Sequence, residues 1–205
     1  NSNEKFLSKN LFEFGSSPPA NSLENKKNRY KSNIFPLSLF YCENCHLVQS
    51  AIDFSSKDIF TTDYPYLSSQ SKSFINHWKS SLPIIVKKFN FDNNSKVLEI
   101  ASNDGYLQDL FVKRKINVVG VEPSPEPARI SKNKGNIVIE EFFSSSLSKM
   151  ILQNHGKQDL IIANNVVAHV PLINDFVRGV TEILDKKGIA IFEFSYLFDV
   201  INEKL

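Results

Sequence analysis

The stretch Val97-Leu98-Glu99-Ile100-Ala101-Ser102-Asn103-Asp104-Gly105-Tyr106-Leu107 decides the reading of the fold. A short apolar run ends beside a carboxylate. Small and polar residues follow, then a glycine, then a helix-like pattern. An α/β fold builds a nucleotide pocket in this way: the first strand stops, the backbone turns tightly, and a ligand meets the strand end and the next helix N-terminus.

The alternation continues outward from that stretch. Strand one is Val97–Ile100, and a helix follows through Leu107, Leu110 and Phe111. Strand two, Asn117–Val121, runs into Glu122-Pro123-Ser124. A helix opens near Pro127, well placed for a first turn, and closes at Gly135. Strand three is Ile137–Ile139 and strand four Leu160–Ala163. A helix through Phe176, Val180, Ile183 and Leu184 is expected to close at Gly188 before strand five, Ile189–Phe194. Strands alternating with helices predict an open parallel, Rossmann-like α/β sheet over residues 95–205. A sheet of this type usually has more strands, and the sequence runs from Asn1 to Leu205 without an initial Met, so a fragment lacking its C-terminal part is expected.

Upstream, residues 61–94 read as a connecting loop and a long helix. Phe74, Ile75, Trp78, Leu82, Ile85, Val86 and Phe89 recur every three or four positions as one apolar stripe, with Pro83 a possible kink. Residues 1–60 read as irregular, with turn chemistry at 14–21. Within them Phe35–Tyr41 alternates like a strand, runs into Cys42-Glu43-Asn44-Cys45, and resumes at Leu47-Val48-Gln49. Strand, cysteine knuckle, strand outlines half a zinc ribbon. Cys42 and Cys45 are then two ligands of a structural Zn²⁺ that needs four, the alternative being a pair of free thiols.

Composition sets outer bounds. The 205 residues are 41% hydrophobic with 17 Phe, enough for one full domain and a small one. Net charge is +2, from 24 basic and 22 acidic side chains, and no basic stripe calls for nucleic acid. No apolar run approaches the roughly 18–20 residues of a membrane span. The paired cysteines fit a cytoplasmic metal or thiol site better than a secreted disulfide scaffold.

Two ligands compete for the pocket. A dinucleotide needs G-x-G-x-x-G, bare backbone against the pyrophosphate. Here the turn carries one glycine, Gly105, with Ala101 where the first might stand. S-adenosylmethionine (SAM) carries no phosphate and offers an ammonium, a sulfonium, a ribose diol and an adenine. Glu99 can favour its positive amino-acid end beside the loop Ala101, Ser102, Asn103, Asp104 and Gly105. Glu122, with Pro123 after it, can accept both ribose hydroxyls. Phe142 and Phe143 can face adenine, and Asn164 and Asn165 end strand four where the methyl group would point. Against this, either acid could be merely solvated or cap a helix. His169, a few residues past strand four, can bond a sugar oxygen or move a proton, or can simply pack against Pro171.

Glu-Ile-Ala-Ser-Asn-Asp-Gly (99–105), Gly-Val-Glu-Pro-Ser (120–124), Phe142-Phe143 and Ala-Asn-Asn-Val-Val-Ala-His-Val-Pro (163–171) together resemble the nucleotide-sugar C-methyltransferases. The resemblance extends to Pro-Pro-Ala-Asn (18–21), to the segment 36–49 around the cysteines, and to Tyr-Pro-Tyr-Leu-Ser (64–68). It implies an N-terminal zinc module, a SAM-binding domain and a third, C-terminal domain. It implies methylation of the carbon next to a ketone on a dTDP-linked deoxysugar. It also implies that Tyr64 or Tyr66 and His169 stand at the sugar site, with no nucleic-acid or membrane partner. Ala101 departs from the family's glycine. A first Cys-x-x-Cys, and a Tyr-His-Glu-His segment carrying further acid–base groups, are not found, so the fragment alone is expected to be inactive. The rival readings are a SAM-dependent methyltransferase of another small molecule and a non-catalytic zinc-ribbon protein with a degenerate Rossmann domain.

Overall fold

The computed structural model describes residues 8–18, 34–50 and 65–203. The chain divides into two compact units, Asn1–Ile59 and Phe60–Leu205.

The first unit holds an antiparallel sheet of β1 (Ser8–Ser17), β2 (Phe35–Cys42) and β3 (Val48–Ser50), in that order. The strand–knuckle–strand expectation holds for β2 and β3, which pair through Leu39↔Ser50 and Tyr41↔Val48. The expectation of turn structure from Phe14 to Ser17 does not hold. Those residues end β1, paired through Ser16↔Pro36 and Ser17↔Phe35 after a register shift beyond Glu13. The turn-like residues mark an irregularity inside a strand rather than its end.

The second unit is a five-stranded parallel sheet. Its strands are β4 (Lys96–Ile100), β5 (Asn117–Val121), β6 (Ile137–Ile139), β7 (Gln158–Asn164) and β8 (Leu184–Glu193). Their order is β6-β5-β4-β7-β8, so β4 lies at the centre and the order reverses beside it. Helices α1 (Lys72–Phe89), α2 (Tyr106–Val112), α3 (Pro125–Asn133), α4 (Ser145–His155), α5 (Ile173–Ile183) and α6 (Leu197–Glu203) complete the unit.

Strand alternation sends successive side chains to opposite faces, and each face has its own core. Leu98, Ile100, Val119, Val121, Ile161 and Ala163 pack against Leu147 and Ile151 of α4 and Phe176, Val180 and Ile183 of α5. Val97, Val118, Leu160 and Ile162 pack against Trp78 and Leu82 of α1 and Leu107, Leu110 and Phe111 of α2. The stripe read on α1 is the face turned inward, with Trp78 and Leu82 buried, Phe74, Ile85 and Val86 partly so and Phe89 exposed, and the helix runs through Pro83 without a break. Ser71 caps α1 by accepting the Phe74 N–H at 3.3 Å.

One boundary differs from the sequence reading. Gly188 does not close a helix. α5 ends at Ile183, Leu184 turns directly into extended backbone, and Gly188 lies within β8. The pairing of β8 with β7 skips from Gln158↔Leu184 to Leu160↔Ile189, so residues 185–188 form a bulge. An apolar count cannot see this boundary, because Leu184 suits either element.

Candidate functional site

The loop after β4 turns at three alternate residues. Ala101 (φ 56°), Asn103 (φ 49°) and Gly105 (φ 77°) all take left-handed backbone conformations. Glycine adopts this region without penalty, Asn tolerates it, and Ala pays a steric cost. The glycine-rich geometry is therefore present although only Gly105 is a glycine. At Gly105 a side chain would force its neighbours to shift: an added Cβ would stand 2.1 Å from Ser131 Oγ and 2.6 Å from Asn136 Nδ2. The loop is further fixed by Ser102 N–H to the Val121 carbonyl (3.1 Å) and Gly105 N–H to the Ser102 carbonyl (3.0 Å).

Alternation places Glu99, two steps past Val97 and paired with Ile162, on the α1–α2 face, and the same parity puts Asn164, two steps past Ile162, there. Glu99 and Glu122 are both buried. Burial pushes the Glu99 carboxyl well above the ordinary carboxylate range. The charges of Glu122, Asp104 and Asp109 push it the same way, against the Gln108 N–H in the first turn of α2. Glu122 is also raised by burial, opposed by its donors. Its Oε1 accepts the Ser124 N–H at 2.7 Å and its Oε2 the Asn103 N–H at 2.9 Å. Glu122 thus ties the loop after β4 to the loop after β5, and a carboxylate retains lone pairs for further donors.

Among the described residues six buried side-chain polar atoms lack a hydrogen-bond partner. Five are Glu99 Oε2, Ser102 Oγ, Ser124 Oγ and both amide atoms of Asn164; the sixth is Trp78 Nε1. The five lie on, or just past, the carboxyl ends of β4, β5 and β7. Each such atom costs about 1–3 kcal/mol if nothing pairs with it. In an open α/β sheet this edge, beside the reversal of strand order, is where ligands bind. The set suits a ligand with a cationic group and hydroxyl donors. A diphosphate would meet the buried carboxyl groups of Glu99, Glu122 and Asp104 at the same edge.

The other sequence-selected residues fall at or beside this edge. Pro123 is half-buried before α3. Phe143 packs edge-on against Phe176, ring centroids 5.2 Å apart, and so belongs in part to the core. Phe142 is half-buried beside it. Asn165 is exposed at φ 54°, its N–H bonded to the Glu193 carbonyl at 2.6 Å. His169 ends the short 3-10 turn Val167–His169 and is exposed. Tyr66 is exposed, and its carbonyl accepts from Asn103 Nδ2 at 3.2 Å. Tyr64 lies outside the described residues.

In the first unit Cys42 is buried at the end of β2 and Cys45 is exposed in the turn that follows. The turn is closed by His46 N–H to the Cys42 carbonyl (2.8 Å) and Cys42 N–H to the Leu47 carbonyl (2.9 Å). The Cys45 N–H and thiol, and the Asn44 N–H, donate toward Cys42 sulfur and lower its pKa. That favours the thiolate, the form that binds metal. His46 Nδ1 bonds the Tyr41 hydroxyl. Among the described residues no group of three or more His, Cys, Asp or Glu gathers to hold a metal. The Cys42–Cys45 spacing is that of a zinc knuckle, which supplies two of the four ligands such a site needs.

Comparison with known proteins agrees with this geometry. Residues 74–200, more than half the chain, match the family described as "Methyltransferase domain", and the chain belongs to it. Residues 3–60 match a second model, "Putative zinc binding domain". The C-methyltransferase NovU of Streptomyces niveus is 27% identical over 190 residues, which cover 92% of this chain and 45% of that protein. The chain thus spans about half the length of that relative. Among solved structures, the PH0226 protein of Pyrococcus horikoshii OT3 superposes with a TM-score of 0.51 at 19% identity, over 68% of this chain and 62% of its own. A SAM-dependent methyltransferase of Archaeoglobus fulgidus gives 0.51 at 16%, over 62% and 57%. These two likenesses concern the fold alone. No helix of the described residues is long and apolar enough to cross a membrane.

Proposed function

We propose that the second unit binds SAM at the carboxyl edge of β4, β5 and β7. The protein it belongs to would methylate the carbon next to a ketone on a dTDP-linked deoxysugar. The observation that carries the cofactor half is the cluster of buried, unpartnered polar atoms among carboxylates at that edge. The sugar half is supported by the similarity to NovU and by the motifs shared with nucleotide-sugar C-methyltransferases.

In this reading Glu99 faces the cofactor's cationic amino-acid end and Glu122 uses its remaining lone pairs on the ribose hydroxyls. The Ala101–Gly105 loop supplies close backbone, Pro123 and Phe142 border the adenine, and Asn164 and Asn165 line the methyl end. Phe143, packed in part against Phe176, flanks the adenine beside Phe142. Bound SAM supplies an electrophilic methyl group. A sugar carbon becomes nucleophilic only once its α-proton has left, and a donor must hold the enolate oxygen that develops. In this reading His169 and Tyr66, at the mouth, take that role, with Tyr64 as the other candidate. Cys42 and Cys45 hold half of a structural zinc site in the first unit.

Calorimetry with S-adenosylhomocysteine, against NADH as control, tests the cofactor half. Saturable binding of the first and none of the second is expected; the reverse would end the reading. For the sugar half, the full-length protein is incubated with SAM and a dTDP-linked ketodeoxysugar. The product should carry one added methyl group on carbon. A methyl on oxygen or nitrogen, or transfer to another small molecule only, would refute it.

A further inference from the structure

The seven residues ahead of α1 cross the cofactor loop, and one side chain holds them there. Asn103 Oδ1 accepts the Ser68 N–H at 2.8 Å and Asn103 Nδ2 donates to the Tyr66 carbonyl at 3.2 Å. One primary amide thus pairs with both polar groups of a backbone segment, as a neighbouring strand would. Ser69 N–H adds a longer contact to Asp104 Oδ1 at 3.3 Å. Beyond the strap, the Tyr106 hydroxyl donates to the Ile75 carbonyl at 3.0 Å.

Position 103 has to meet two demands. Its backbone is left-handed, which favours glycine, yet the strap needs a donor and an acceptor on one short side chain. Gly meets the first demand, Asp gives acceptors only, and Asn meets both. Asn103 is itself fixed from below, its N–H bonded to Glu122 Oε2. A continuous chain of hydrogen bonds therefore runs from Glu122, through Asn103, to Tyr66 and Ser68.

We propose that Asn103 is a positioning residue for the acceptor side of the pocket. Its amide clamps the Tyr66–Ser68 strap onto the cofactor loop, so that cofactor held at Glu122 also fixes Tyr66 at the mouth. This rests on the cofactor reading given above. It assigns the Asn103 side chain to the strap, leaving only its backbone to the cofactor.

The test is residue-level amide exchange on the whole chain, with and without S-adenosylhomocysteine, in wild type, Asn103→Gly and Asn103→Asp. Gly keeps the backbone conformation, so loss of the clamp is separated from strain. The Ser68 amide should exchange on the order of tenfold faster in Asn103→Gly, from loss of its acceptor. In wild type the ligand should slow that amide further. In Asn103→Gly it should no longer do so, at ligand concentrations that calorimetry shows to saturate the variant. Asn103→Asp should restore much of the Ser68 protection, because an acceptor returns. Unchanged Ser68 exchange in Asn103→Gly, or the same ligand-induced slowing as in wild type, would overturn the proposal. If wild type binds no S-adenosylhomocysteine, the cofactor reading and the coupling to it fail, while the ligand-free exchange rates still decide whether the clamp exists.

Discussion

Replacing Gly105 by Ala tests whether the cofactor loop is built as described, and Gly135→Ala is its control. Both glycines have left-handed backbone, φ 77° and 91°. An L-residue there costs roughly 1–2 kcal/mol. The change returns roughly 0.4–1 kcal/mol by stiffening the unfolded chain. That remainder is the whole expected effect at Gly135, where an added Cβ meets nothing within 4 Å. At Gly105 the Cβ would also press on Ser131 Oγ at 2.1 Å and Ser131 Cβ at 2.9 Å. Ser131 cannot retreat freely, since its hydroxyl donates to Gln108 Oε1 at 2.9 Å and accepts from Asn136 Nδ2 at 3.3 Å. Overpacking of this kind adds roughly 1–3 kcal/mol. Gly105→Ala should therefore destabilise by about 3 kcal/mol, about 6–12 °C in Tm for a chain of this size, and Gly135→Ala by less than about 1.5 kcal/mol. The chain's one Trp, Trp78, is buried in the second unit, so urea unfolding followed by its fluorescence reports that unit. Equal losses in the two variants would show that the loop does not pack on Ser131.

Further outcomes follow from the same geometry. Because the folded Glu99 carboxyl is raised above its ordinary value of 4.5, the native state binds more protons than the unfolded one above that pH. Its contribution is complete below about pH 4.5 and is lost as pH rises through the raised folded value. Glu99→Gln should flatten this fall, which urea midpoints at pH 5 and pH 8 would reveal; parallel slopes for both proteins would count against a buried, destabilised carboxylate. Phe176→Ala should cost about 3–5 kcal/mol, since the ring is 2% exposed and supports both Phe143 and Phe192; a loss under about 1 kcal/mol in urea unfolding would mean that the face is loosely packed. Ala101→Gly should not destabilise by more than a few tenths of a kcal/mol, because relief of the left-handed strain offsets the gain in unfolded-chain entropy; a clear loss would place the Ala101 methyl in an essential contact.

The sheet was readable because its strands are short apolar runs that end in polar residues at each carboxyl edge. β5 and β6 coincide with their expected bounds, and β4 and β7 differ by one or two residues. What escaped had no periodic signature. β1 carries Gly15-Ser16-Ser17, which spells a turn wherever no partner strand is known, and its partner β2 begins eighteen positions further on. Residues 145–155, which form α4, bury Leu147, Ser148 and Ile151, of which only two are apolar, too sparse a stripe to read as a helix.

The site shows the same division between identity and geometry. Residue types at strand ends pointed to Glu99, Glu122 and Asn164, but two further facts decide what they can do. Parity along β4 and β7 turns Glu99 and Asn164 to the α1–α2 face. Backbone conformation at residues 101, 103 and 105 reproduces a glycine-rich turn with one glycine. The acidic character of this edge was legible because charge is written in the sequence. The role of Asn103 was not, since it depends on a segment 35 positions away in the chain reaching the loop. The helix-capping alternative for the acids holds in part: Glu122 does bind backbone N–H groups, those of Asn103 and Ser124, so its bonds tie the loops after β4 and β5 together while its remaining lone pairs stay available for the ligand proposed there.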